Sequence, residues 1–132
     1  MGRGLTFVID ASALLAVLLE ERGAEVVIPV LRGSAISAIN FSESMVRAID
    51  KGHPSRIVAE LVDSFDLEIV AFDRSHANIA ADLRTHTRSI GASFGDRACL
   101  ALALQRQVPV LTADTDWSKL DPGLGIDIRQ IR

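Results

Sequence analysis

Short apolar runs recur along this chain, and each is followed by a segment of helical composition. Residues 5–9, 35–38, 67–72, 108–112 and 125–131 read as strands. Between them lie predicted helices at 11–21, 24–32, 40–50, 55–65, from Asp73 toward Thr87, and at 96–107, with a turn and short helix at 114–120. Pro29 is expected to kink or shorten the second of these, and Pro54 suits a first helical position. The strands are apolar throughout, as expected when both faces of a sheet are covered. Strands alternating with helices imply a mostly parallel central sheet in a three-layer α/β/α domain. In such folds ligands bind outside the carboxyl ends of the strands.

The 132 residues suit a single domain with a sizeable core. No apolar stretch is long enough to span a bilayer, and the N-terminus lacks the basic and cleavable apolar pattern of a signal peptide. The lone Cys99 has no internal disulfide partner, so a reducing, cytoplasmic setting is expected. A net charge of −3 argues against a generic basic nucleic-acid coat protein but leaves a nuclease open, because catalytic acids offset basic groups elsewhere. Lys51 and Lys119 are the only lysines; arginine carries the remaining positive charge, through codon bias or through its forked geometry for phosphate.

Acids cluster where the fold rule looks for a site. Asp10 ends the first strand in FVIDASALL, Glu43 lies in the helix after the second, Asp96 opens the helix before the fourth, and Asp114 and Asp116 follow it. Each has a plain structural reading alone. Asp10 fits a helix N-cap, Asn40 and Glu43 have capping-box spacing, Gly95-Asp96 begins a helix, and Asp114 suits a turn. Together they imply more. If strands one and four are neighbours, their acids meet above the sheet, and the flanking helices add one carboxylate each. Such a group stays ionised only around a cation. Oxygen ligands suit Mg²⁺ or Mn²⁺, whereas Cys99, His53, His76 and His86 lack zinc-ligand spacing. A carboxylate-held divalent ion points to phosphoryl chemistry.

The segments FVIDASALLAVLLEE, ISAINFSES, SFGDRACLALAL and VPVLTADTDW, with the terminal IDIRQIR, resemble in order the PIN-domain ribonucleases, most closely the VapC-like toxins of bacterial toxin–antitoxin pairs. The resemblance spans essentially the whole chain. It implies a PIN-like fold and a metal-dependent endoribonuclease that leaves a 3′-hydroxyl and a 5′-phosphate. It assigns Asp10, Glu43 and Asp96 as acids, with Asp114 favoured over Asp116 as the fourth, and Ser12 and Thr112 as supporting hydroxyls. It also implies an antitoxin partner and a homodimer, with the apolar segment Ala13–Leu19 contributing to such surfaces.

Arg84, Arg88 and Arg97 are candidates for RNA backbone contacts or for a solvated helix face. Cys99 reads as core, the histidines as surface or helix-end groups, and Trp117 as a plug at the core edge or a base-stacking ring. Competing readings are a metal-dependent DNA nuclease, a receiver-like phosphoacceptor domain with Asp73 as acceptor, and a binding-only module.

Overall fold

Alternation of side chains along the strands sorts the core into two layers. The computed structural model describes residues 5–132. Strands β1 (Val8–Ile9), β2 (Ala35–Ser37), β3 (Glu68–Val70), β4 (Val110–Thr112) and β5 (Ile128–Gln130) form one sheet in the order β3-β2-β1-β4-β5. Every pairing is parallel. On one face, Phe7, Ile9, Ile36 and Leu111 pack with Leu14 of α1 (Ala11–Leu18), Val27 of α2 (Ala24–Val27), Ala48 of α3 (Ala38–Asp50) and Val62 of α4 (Ser55–Ser64). One residue out of phase, Val8, Ala35 and Val110 pack with Leu83 of α5 (Arg74–Thr87) and Leu100 and Leu102 of α6 (Phe94–Arg106). The period of two along each strand therefore produces the three layers.

Chain order reverses direction between β1 and β4, so the crevice above this pair is the topological switch point. Val8 pairs with Val110 and Ile9 with Leu111. The same register sets Asp10 beside Thr112.

Several boundaries differ from expectation for identifiable reasons. The predicted helix at 24–32 stops as α2 at Val27 and continues as a 3-10 turn, Ile28–Val30, around Pro29. Helix α3 starts at Ala38 because the Ser37 hydroxyl accepts from the Ile39 amide at 3.2 Å. Asn40 is thus inside the helix and caps nothing, and Glu43 falls in its second turn. Pro54 is the N-cap residue of α4, one position before the helix. Helix α6 begins at Phe94 with a capping box between Ser93 and Asp96. The edge strands are not covered on both faces: Glu68 and Ile69 are exposed, and Arg106 clamps Glu68 through two bonds of 3.0 and 2.9 Å. That contact lowers the Glu68 pKa and raises that of Arg106, both chiefly through the hydrogen bonds.

Burial decides between readings that the sequence left open for His76, Trp117 and α1. His76 is buried, with Nε2 at 2.7 Å from Gln105 Oε1, and stands in the first turn of α5, so it is a helix-end group and not a surface one. Trp117 is 1% exposed, so its ring fills the core and offers no face to a base. Within the apolar α1, Ala13–Ala16 are buried in the protein's own core. The exposed apolar side chains of the neighbouring helices are instead Val26, Val46, Ile49, Ile57 and Leu61.

Leu100 is fully buried against the sheet. Leu100→Ala should cost about 2–5 kcal/mol in urea unfolding. A loss below about 1 kcal/mol would place the helix outside the core.

Candidate active site

Burying Asp10 requires partners, and the parallel register supplies them. The residue is 5% exposed at the N-cap position of α1, yet its side chain makes no capping bond. Its Oδ2 instead accepts from Ser12 Oγ at 2.7 Å and from Thr112 Oγ1 at 2.8 Å. Those hydroxyls in turn accept from the backbone, Ser12 from the Ala113 amide at 2.9 Å and Thr112 from the Asp114 amide at 3.0 Å. Each hydroxyl proton is therefore aimed at Asp10. The ends of β1 and β4 are tied by the same network that orients the carboxylate.

Glu43 is seated by a buried amide. Asn40, fully buried, donates through Nδ2 to Glu43 Oε1 at 3.0 Å and to the Gly95 carbonyl at 2.9 Å. Both neighbours are acceptors, so the amide can face only one way. A methyl group on Gly95 would overlap the Glu43 carboxylate. Glycine is needed there for space rather than for its backbone freedom. Asp96 Oδ2 accepts from the Ser93 amide at 2.9 Å, and Asp114 Oδ1 from the Asp116 amide at 2.9 Å. Gln130 of β5 donates to the Asp114 carbonyl at 2.9 Å, fixing that turn.

Asp10, Glu43, Asp96 and Asp114 line one cavity of about 260 Å³, together with Ala11, Ser12, Arg47 and Ser93. Each of the four carboxylates has one oxygen engaged in an orienting bond. Among the described residues no hydrogen bond engages the second oxygen of any of them. Such an all-oxygen donor set fits a hard divalent cation. No three acid, histidine or cysteine side chains among the described residues are already drawn into a ligand shell.

The strain of this arrangement falls on Asp10. Loss of hydration lifts its pKa from 3.8 to about 6, the Ser12 and Thr112 hydrogen bonds hold it down, and the charge of Asp96 adds to the rise. Cys99 lies fully buried nearby; burial, then the charges of Asp10, Asp96 and Glu43, push its thiol well up, leaving it an inert core group.

The structure thus brings together four of the five acids singled out in the sequence. Asp116 is exposed, outside the cavity lining, and 3.5 Å from Lys119 Nζ. Arg84 and Arg88 are exposed but do not line the cavity. Arg97 donates to the Ala80 carbonyl at 3.1 Å and stacks over Phe94, so it pins α6 to α5. Sequence reasoning missed Arg47, which lies in the cavity wall, and gave Asn40 a capping role. The signal for Arg47 is its spacing of four residues from Glu43 on one helix face.

A PIN-domain family model matches residues 7–122. The chain belongs to the PIN-domain family. Ribonuclease VapC42 of Mycobacterium tuberculosis is 30% identical over 124 residues, covering 86% of this PIN chain and 95% of that protein. A VapC ribonuclease of Mycobacterium bovis matches to the same extent. Among solved structures, a toxin–antitoxin complex from Klebsiella pneumoniae aligns with a TM-score of 0.75 at 19% identity, covering 96% of this chain and 98% of that one. The DNA-bound VapBC of Salmonella typhimurium aligns at 0.73 and 20% identity, covering 98% of this chain and 100% of that one. These two share the fold of this PIN domain. Family membership displaces the receiver-like reading, and Asp73 here caps α5, its Oδ1 accepting from the His76 amide at 3.1 Å.

The raised pKa of Asp10 has a definite sign in stability. The folded state binds this proton more tightly than the unfolded state. Ionised Asp10 therefore destabilises the metal-free protein above about pH 6, by up to about 3 kcal/mol, and the penalty disappears as pH falls toward 3.8. Asp10→Asn should raise neutral-pH stability in chelator by about 1–3 kcal/mol and flatten its pH dependence between those values. Denaturant melts at several pH values test this; an unchanged or lower stability would contradict the burial cost.

Proposed function

We propose that this PIN domain is a metal-dependent endoribonuclease, the toxin of a toxin–antitoxin pair. The observation that carries the chemistry is the convergence of Asp10, Glu43, Asp96 and Asp114 from four separate segments into one cavity at the switch point of a parallel sheet. The PIN family match and the VapC ribonuclease relatives supply the substrate class, RNA. They favour RNA over the DNA-nuclease alternative, which the carboxylates alone do not separate, because both nucleic acids present the same phosphate.

Mg²⁺ or Mn²⁺ would be held by the four carboxylates; such an ion lowers the pKa of attacking water and neutralises charge on the phosphate oxygens. The chain's own contribution is alignment. Ser12 and Thr112 hold Asp10 with one oxygen committed and the other free. Asn40 and Gly95 hold Glu43 against the cavity wall, where its carboxylate binds the ion or orients the attacking water. The Ser93–Asp96 capping box aims Asp96 from the N-terminus of α6, whose positive dipole end favours the carboxylate. By analogy with the family, hydrolysis would leave a 3′-hydroxyl and a 5′-phosphate.

A toxin of this kind works in the cytoplasm and calls for two protein partners, a VapB-like antitoxin that binds DNA and a second copy of the chain. The solved neighbours, described as toxin–antitoxin complexes and as DNA-bound VapBC, support the first. Exposed Val26, Val46, Ile49, Ile57 and Leu61 provide apolar surface for such contacts. Among the described residues no helix is long and apolar enough to cross a membrane.

RNA cleavage should be abolished by EDTA and restored by Mg²⁺ or Mn²⁺, and Asp96→Asn should lower kcat at least about 100-fold. Cleavage that survives both treatments would refute the mechanism. Gly95→Ala gives a sharper check of the Glu43 seat. The overlapping group is the mobile end of a side chain, so the fold should tolerate the methyl with Tm nearly unchanged while kcat falls about 10-fold or more. Wild-type activity in Gly95→Ala would show that the seat of Glu43 does not matter.

A further inference from the structure

Arg47 lies in the wall of the acidic cavity and has no task in the mechanism so far. It follows Glu43 by one turn of α3, the spacing at which glutamate and arginine ordinarily pair. Here Glu43 Oε1 is taken by Asn40 instead. Arg32, Arg56, Arg106, Arg129 and Arg132 each reach an acid in an ion pair. The Arg47 side chain, in the wall shared with four carboxylates, makes no ion pair or hydrogen bond among the described residues. Its side chain is exposed, and its backbone sits in the last turn of a well-formed helix. Arg47 is therefore an exposed residue of the cavity wall whose side chain is not spent on holding the fold.

The cavity poses an electrostatic problem that Arg47 answers. Four carboxylates gathered in one cavity make a negative site, which opposes entry of a polyanion. Arg84 and Arg88, the exposed candidates from α5 and the turn after it, do not reach the lining, and Arg97 is committed to the Ala80 carbonyl. Arg47 is the cationic side chain among the lining residues. Its planar fork of donors matches two oxygens of a phosphate, a geometry that a lysine does not reproduce.

We propose that Arg47 grips a non-bridging oxygen of the RNA backbone at the mouth of the acidic cavity, and so sets the phosphodiester against the carboxylates. The assignment rests on the ribonuclease reading for the identity of the polyanion. It makes Arg47 a binding residue that places substrate without taking part in proton transfer.

The test separates the two readings. Binding of a labelled single-stranded oligoribonucleotide is measured by fluorescence anisotropy in Mg²⁺ across a series of KCl concentrations, using Asp96→Asn protein to prevent cleavage. Adding Arg47→Ala should weaken binding roughly 10-fold and reduce the slope of log K against log salt by about one. Arg47→Lys should recover the slope but only part of the affinity. In otherwise wild-type protein, Arg47→Ala should raise KM more than it lowers kcat, with Tm unchanged. Equal affinity and equal salt slope with and without Arg47 would overturn the assignment while leaving the ribonuclease reading intact if the wild type cleaves. RNA that neither binds nor is cut would overturn both.

Discussion

A buried aspartate between the ends of two parallel strands organises this molecule. Asp10 loses most of its hydration where β1 gives way to α1, and hydroxyls from Ser12 and Thr112 restore only part of it. Thr112 can do so because β1 and β4 are neighbours in parallel register. The network consequently couples the sheet's central pairing to the orientation of the Asp10 carboxylate. The residual cost, seen in the raised pKa, is the kind of local conflict that stable folds tolerate at sites of function. A bound cation would remove it, because the ionised form of Asp10 is the form a cation prefers.

The other acids repeat the pattern with different supports. Glu43 leans on a buried amide, Asp96 on a helix-start amide, and Asp114 on the amide two residues later. In each case one oxygen is fixed by the chain, which leaves the other to the cavity. The arrangement resembles a set of hinged arms with restricted travel. Repulsion among them opposes a closer approach unless a positive charge offsets it, and Arg47 is the cationic residue in the same wall.

Much of this was legible in the sequence because it depends on periodicity and on strand ends. The alternation of apolar strands with helices, and the acids after strands one and four, led directly to a parallel sheet with a carboxylate site above it. What stayed hidden depends on contacts between distant residues. Asn40 looked like a cap because nothing local reveals that Ser37 caps three residues earlier, or that Gly95 supplies a carbonyl to the amide. Whether His76 was a surface or a buried helix-end group stayed open because its partner, Gln105, is on another helix. Arg97 looked free because the Ala80 carbonyl it meets is also remote. The apolar α1 suggested a sticky surface, yet packing against the sheet consumes much of it, and the following helices carry exposed apolar side chains such as Val46 and Ile49 instead.

The claim on which the rest depends is that the four carboxylates form a cation site with Asp10 as a reluctant member. Calorimetric titration of the chelator-treated protein with Mn²⁺, in two buffers of different ionisation enthalpy, tests it directly. Saturable binding should release roughly half a proton per ion near pH 6, where Asp10 is half-protonated, and almost none near about pH 8. Absence of saturable binding, or binding with no proton release near pH 6, would contradict it.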